Sequence, residues 1–175
     1  MKLAELYARA RRIRLVLTDC DGVLTDGGVY YSAQGEEMKR FNIRDGMGVV
    51  RLREHGVTTG IVTGETSPSV RTRAAKLRIE ELHLGIQDKP ACLREILDRT
   101  GLAVEEVAFI GDDVNDVDVL GLVGLSACPG DATEFARAVA DYHCRTAGGF
   151  GCFRELAELI IAAQTNPAAP EAPPR

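Results

Sequence analysis

Residues 13–17 form an apolar run, broken only by Arg14, that leads through Thr18 into Asp19-Cys20-Asp21-Gly22. A run of that length and character reads as a buried strand. Its tip carries two carboxylates two positions apart. Like charges so placed repel, and a bound divalent cation is the simplest means of offsetting the repulsion. Similar units recur downstream. Residues 57–63 are apolar and close on Thr63-Gly64, Lys89 follows the short run 82–84, and residues 107–110 open onto Gly111-Asp112-Asp113-Val114-Asn115-Asp116. Helical patterns fill the intervals at 46–54, 66–77, 90–99, 117–122 and 133–139, with further short strands at 124–127 and 141–144 and a last helix starting near Phe153. Strands alternating with helices define an α/β class, a mainly parallel sheet flanked by helices. Such sheets bind ligands beyond the carboxyl ends of their strands. Asp19, Thr63, Lys89 and Asp112 share that address and form one candidate site.

The chain has 175 residues, 45% of them hydrophobic, which suffices for one compact domain, expected over 1–163. A net charge of −5 argues against a nucleic-acid-binding body, and no basic run suggests an anionic membrane surface. No 18-residue apolar stretch occurs, and residues 1–12 mix charge throughout, unlike a signal peptide. A soluble, cytoplasmic protein is expected. The five cysteines are scattered without a CxxC pair, so they read as buried thiols, and Cys20 should point away from its flanking acids. Residues 28–41 flank Ser-Ala-Gln-Gly and are predicted to form a β-hairpin flap. Residues 164–175, rich in Pro and Ala, are expected to be disordered.

Hard oxygen ligands at Asp19, Asp21 and Asp112 suit Mg²⁺. With the cation offsetting repulsion, the Asp19 carboxylate could attack a phosphate ester and form an aspartyl-phosphate. Asp21, on the same side of the strand, could protonate the leaving oxygen and then activate water. Thr63 offers a hydroxyl to the phosphoryl oxygens, and Lys89 a cation. Asp113 and Asp116 could orient the groups around the metal. Taken singly, each element has an ordinary structural explanation; in this order they are specific.

The motifs 17–25 (Leu-Thr-Asp-Cys-Asp-Gly-Val-Leu-Thr), Thr63-Gly64, Asp88-Lys89 and 111–116 together resemble the haloacid dehalogenase (HAD) phosphatase superfamily. The resemblance spans about 12–163 and implies a Rossmann-like HAD fold. The stretches 42–46, 123–126 and 147–149 resemble its small, nearly capless branch, which includes 3-deoxy-D-manno-octulosonate 8-phosphate (KDO 8-phosphate) phosphatases and nononate or acylneuraminate 9-phosphate phosphatases. Roughly 40 residues separate Asp21 from Thr63, and a single helix separates Lys89 from Asp112, which leaves no room for a cap domain. The branch implies Mg²⁺, a sugar-acid phosphate substrate, and a homotetramer in which hairpins associate and a neighbouring subunit covers each site. Gly64, Glu65, Arg44 and Lys76 are the candidate substrate-binding positions. Arg44 matches the octulosonate pattern. Glu65, where that pattern has Arg, together with Lys76, matches the nononate type, and Phe150 replaces the Arg of a Gly-Gly-Arg-Gly loop. The expected reaction is hydrolysis of KDO 8-phosphate, with the nine-carbon esters as the alternative. Three other classes fit less well. A phospho-receiver domain would carry its Lys last, a non-catalytic oligomerisation module would have lost an acid, and a phosphomutase would need a larger cap.

Overall fold

The computed structural model of the protein describes residues 2–166. Among them, six strands form one parallel sheet and two form a separate antiparallel hairpin. The order along the chain is α1 (Leu3–Ala10), β1 (Leu15–Thr18), β2 (Tyr30–Ser32), β3 (Gly35–Met38), α2 (Ile43–Glu54), β4 (Thr58–Thr63), α3 (Pro68–Leu77) and β5 (Glu81–Leu84). It continues with α4 (Lys89–Thr100), β6 (Val107–Ile110), α5 (Val117–Leu120), β7 (Leu125–Cys128), α6 (Glu134–Val139), β8 (Tyr142–His143) and α7 (Cys152–Thr165). The large sheet runs β5-β4-β1-β6-β7-β8, so β1 lies between β4 and β6 at its centre.

That central position explains the composition of β1. Successive side chains on a strand face opposite ways, and here both ways are interior. Leu15 and Leu17 pack with Val62, Phe109, Leu93 and Ile96 on one face. Ile13, Val16 and Cys20 pack with Ile61, Ile110, Phe153 and Leu156 on the other. Cys20 is thus a core side chain, turned away from its flanking acids as expected, and burial first, then the charges of Asp21 and Asp19, push its thiol far above the ordinary range.

The order β4-β1-β6 places the switch in strand order at β1, and it brings three tips together. Thr18 pairs with Ile61 and with Ile110. The Asp19 amide extends the β1–β6 ladder by donating to the Ile110 carbonyl at 2.9 Å. Asp19, Thr63 and Gly111 therefore leave the sheet at one edge.

Sequence-derived boundaries shift by a residue or two, and the shifts have reasons. Residues 13 and 14 precede β1, because the Arg14 amide bonds Glu106 in the 3-10 turn Val104–Glu106. Lys89 opens α4 with Asp88 as its cap, the Asp88 Oδ1 accepting from the Ala91 amide at 2.8 Å. The tail expected from residue 164 begins later. Gln164 and Thr165 complete α7, and the Gln164 side chain donates to the Ile13 carbonyl at 2.7 Å. Residues 167–175, also assigned to that tail, lie outside the described residues. No described helix is long and apolar enough to cross a membrane.

Candidate active site

At the carboxyl end of β1, the Asp19 carboxylate is gripped from two sides. Its Oδ1 accepts the Cys20 amide at 2.6 Å, and its Oδ2 lies 3.0 Å from Lys89 Nζ. The Lys89 side chain is 1% exposed and reaches across to Asp116 Oδ1 at 2.5 Å. Asp116 is buried, and its Oδ2 accepts the amides of Asp112 and Asp113 at 3.0 and 3.3 Å. One carboxylate thereby ties the lysine to the loop that presents Asp112. Burial opposes the charge on Lys89, yet Asp19 and Asp116 hold the ammonium above its ordinary value.

Asp112 completes the arrangement. One oxygen from each of Asp19, Asp112 and Asp116 lies within 4.8 Å of the others. Burial raises the Asp112 carboxyl to about 8, helped by the charges of Asp19, Asp116 and Asp113. Burial and Asp116 likewise raise Asp19 to about 6, against the opposing pull of Lys89. Packed carboxylates held up by desolvation and by one another are a donor set that fits a hard divalent cation. Asp116 already has both oxygens committed to Lys89 and to backbone amides. Asp116 is also 0% exposed and no part of the cleft wall, whereas Asp19 and Asp112 both face the cleft, so these two are placed to meet a metal and Asp116 positions them.

Gly22 shows how tightly this loop is built. A Cβ there would fall 2.1 Å from Asp112 Oδ2, and its φ of +75° favours glycine. A glycine after the second acid lets the Asp112 carboxylate close against the backbone.

The cleft above measures about 340 Å³ and is walled by Asp19, Asp21, Thr63, Asp112 and Asp113, together with the hairpin. Thr63 is 2% exposed, and its Oγ1 accepts the Glu65 amide at 3.3 Å. Gly64 and Glu65 also line the cleft. Asp113 caps the turn that follows, its Oδ1 accepting the Val114 amide at 2.7 Å.

Three expected residues sit differently. Asp21 lines the cleft but is no part of the acidic triad. Its carboxylate is bound instead by Lys39 Nζ at 2.8 and 2.7 Å and accepts from Thr25 Oγ1 at 3.1 Å. Lys76 is exposed in the last turn of α3, eight residues from its first, which is about 12 Å along the axis. Arg44 is exposed in the first turn of α2, beside Gly151. Neither Lys76 nor Arg44 lines the cleft of its own chain. Conversely, Val29, Tyr31, Glu36 and Lys39 line it from the hairpin. Sequence reading missed them because the hairpin's approach to β1 is a tertiary event. Two acids and a lysine within 36–39 were the only available signal.

A parallel α/β sheet with an aspartate nucleophile candidate, a buried lysine and an acidic pair at one edge defines a class of phosphate-transferring hydrolases. Residues 47–124 match the haloacid dehalogenase-like hydrolase family. The chain is 40% identical over 161 residues to the 3-deoxy-D-manno-octulosonate 8-phosphate phosphatase of Escherichia coli K12, covering 92% of this chain and 86% of that one. It is 36% identical over 159 residues to the enzyme of that name from Haemophilus influenzae, covering 91% and 88%. The crystal structure of the Yersinia pestis phosphatase superposes with a TM-score of 0.89 at 40% identity, covering 92% of this chain and 87% of that one. The Moraxella catarrhalis phosphatase, crystallised with magnesium, phosphate and KDO, gives 0.91 at 36% identity, covering 94% and 95%. The chain belongs to the haloacid dehalogenase-like hydrolases, with their Rossmann-like fold, and is a phosphoric monoester hydrolase.

Proposed function

We propose that this chain hydrolyses the phosphate monoester of a 2-keto-3-deoxy sugar acid, KDO 8-phosphate, to KDO and phosphate with Mg²⁺ as cofactor. The observation that carries the reaction is the Asp19–Lys89–Asp116 chain beside Asp112 at the tip of the central strand. The relatives that bear the octulosonate name support the substrate.

Asp19 and Asp112 would hold the cation. Bound there, it would neutralise charge on both the ester and Asp19, so that two anions can meet. The need is acute, because the cleft is lined by six acids (Asp19, Asp21, Glu36, Glu65, Asp112 and Asp113) and one lysine, Lys39. The Cys20 amide and Lys89 fix the Asp19 carboxylate for in-line attack on phosphorus. The phosphorus–oxygen bond to the sugar breaks as the bond to Asp19 forms, and Asp21 gives a proton to the departing oxygen. Water then attacks the aspartyl-phosphate, Asp21 takes its proton, and phosphate leaves with Asp19 restored. Thr63 donates its hydroxyl to a phosphoryl oxygen through both steps.

One observation favours a second reading, a nononate or acylneuraminate 9-phosphate. Glu65 lines the cleft, and a carboxylate there suits hydroxyl-rich chains better than a second anion. Phosphate release from the eight- and nine-carbon esters, with Mg²⁺ and with EDTA, tests both. The eight-carbon ester should be the better substrate by kcat/KM, and EDTA should abolish turnover reversibly. Preference for a nine-carbon ester would transfer the assignment. Glu65→Arg, which restores the residue of the octulosonate pattern, should then shift preference toward KDO 8-phosphate by on the order of tenfold, about the worth of one charge-assisted contact.

A further inference from the structure

Lys39 is the least expected side chain in the cleft. It follows β3 at the base of the hairpin, yet its side chain is 1% exposed. A lysine is seldom interior unless paired, because removing an ammonium from water is costly. This one binds both oxygens of Asp21, at 2.8 and 2.7 Å, and stands 3.3 Å from Glu36 Oε2. Burial opposes its charge, but Asp21 and Glu36 hold it above its ordinary value. Glu36 in turn accepts from the Ser67 hydroxyl at the head of α3. Closing the hairpin does not require this arrangement, since Thr25 and Phe41 already bridge its base.

We propose that Lys39 is a positioning residue for the reaction, one that aims the Asp21 carboxyl group at the leaving oxygen of the ester. The inference rests on Asp21 being the acid of the proposed mechanism. Oδ1, held by both Lys39 and Thr25, anchors the Asp21 group against rotation, while Oδ2, held by Lys39 alone, is the oxygen that exchanges that contact for the proton passed to the ester. Glu36 and Ser67 fix where Lys39 stands, so the seat of the hairpin is relayed to the reacting group. Misplacing an acid by about 1 Å is enough to lose much of its effect. A general acid matters most when the departing oxygen is a poor leaving group, and such groups contribute about 10²–10⁴-fold.

The test compares kcat/KM for p-nitrophenyl phosphate, phenyl phosphate and an alkyl sugar phosphate with Mg²⁺ saturating. This ratio reports the step that breaks the ester, free of the later attack by water. Asp21→Asn should depress the alkyl ester at least tenfold more than the nitrophenyl ester. Lys39→Met should reproduce that bias, with KM changing less than kcat, and Lys39→Arg should recover most of it. If Asp21→Asn shows the bias and Lys39→Met lowers all three esters in parallel, Lys39 merely supports the hairpin and the proposal is overturned. If Asp21→Asn itself shows no bias, the acid assignment fails instead, and the two failures are distinct. Should methionine prevent folding, Lys39→Gln carries the same comparison with a neutral donor in place.

Discussion

At the scale of single residues, the site is an unfavourable grouping that something must offset. Asp19 and Asp112 have carboxyls pushed up to about 6 and about 8 from an ordinary 3.8, first by burial and then by neighbouring acids. A group whose pKa is raised on folding contributes stability below its unfolded pKa and loses it as pH climbs through the folded value. The metal-free protein should therefore lose stability between about pH 4 and pH 8 as these two acids ionise. A cation bound to the ionised pair acts in the opposite sense, and its binding strengthens as they deprotonate. Thermal unfolding in EDTA should give a Tm that falls across that window, while saturating Mg²⁺ should flatten or reverse the slope. A metal-free Tm that stays level from pH 5 to pH 8 would mean that these carboxylates are better solvated than their burial implies.

Between elements, the loop 148–149 shows how packing reaches the chemistry. A Cβ on Gly148 would lie 1.8 Å from the Gly22 carbonyl oxygen, a contact of backbone against backbone with no flexible tip to yield. Gly148 is anchored by its amide to Asp131 Oδ1 at 2.8 Å, and the Gly149 amide bonds Val23 at 2.9 Å. Gly22 is itself close to Asp112, whose Oδ2 lies 2.1 Å from where a Gly22 Cβ would stand. Gly148→Ala should thus press Gly22 onto Asp112, costing about 1–3 kcal/mol in overpacking and weakening Mg²⁺ by roughly 10–100-fold. A Mg²⁺ titration of activity beside a thermal melt measures both, and unchanged Mg²⁺ dependence would show that the loop yields elsewhere. How much of this was legible beforehand divides along the same line. Strands such as Val107–Ile110 are written in their own residues, apolar on both faces and punctuated by glycine and acids. Asp19, Lys89 and Asp112 were legible because each stands at or near such a punctuation mark. Lys39 was not, since only the folded hairpin carries it to Asp21. Neither was the commitment of Asp116 to Lys89, nor the distance of Lys76 from the cleft, because a helix converts sequence proximity into separation along its axis.

For the whole molecule, the hairpin poses the remaining question of what covers it. An isolated two-stranded ribbon is marginal in water. Among the described residues this one pairs only with itself, and it leaves Tyr30, Tyr31 and Met38 exposed at 56%, 72% and 57%. Its two faces differ in use. Val29 and Tyr31 line the cleft, whereas Tyr30 and Met38 pair across the strands. Contiguous exposed apolar side chains of this kind mark association surfaces. The homotetramer implied by the family resemblance would bury them hairpin against hairpin and give the open cleft another wall. Replacing Tyr30 and Met38 together by serine leaves the Val29 and Tyr31 side of the cleft intact. Sedimentation velocity should then find a smaller species than the parent protein. Turnover of the sugar-acid ester should fall further than turnover of p-nitrophenyl phosphate, because only the longer substrate would reach a wall that a neighbour supplied. An unchanged sedimentation coefficient would show that the hairpin is not an association surface. A smaller species with full activity on both esters would show that each subunit's cleft is complete without a partner.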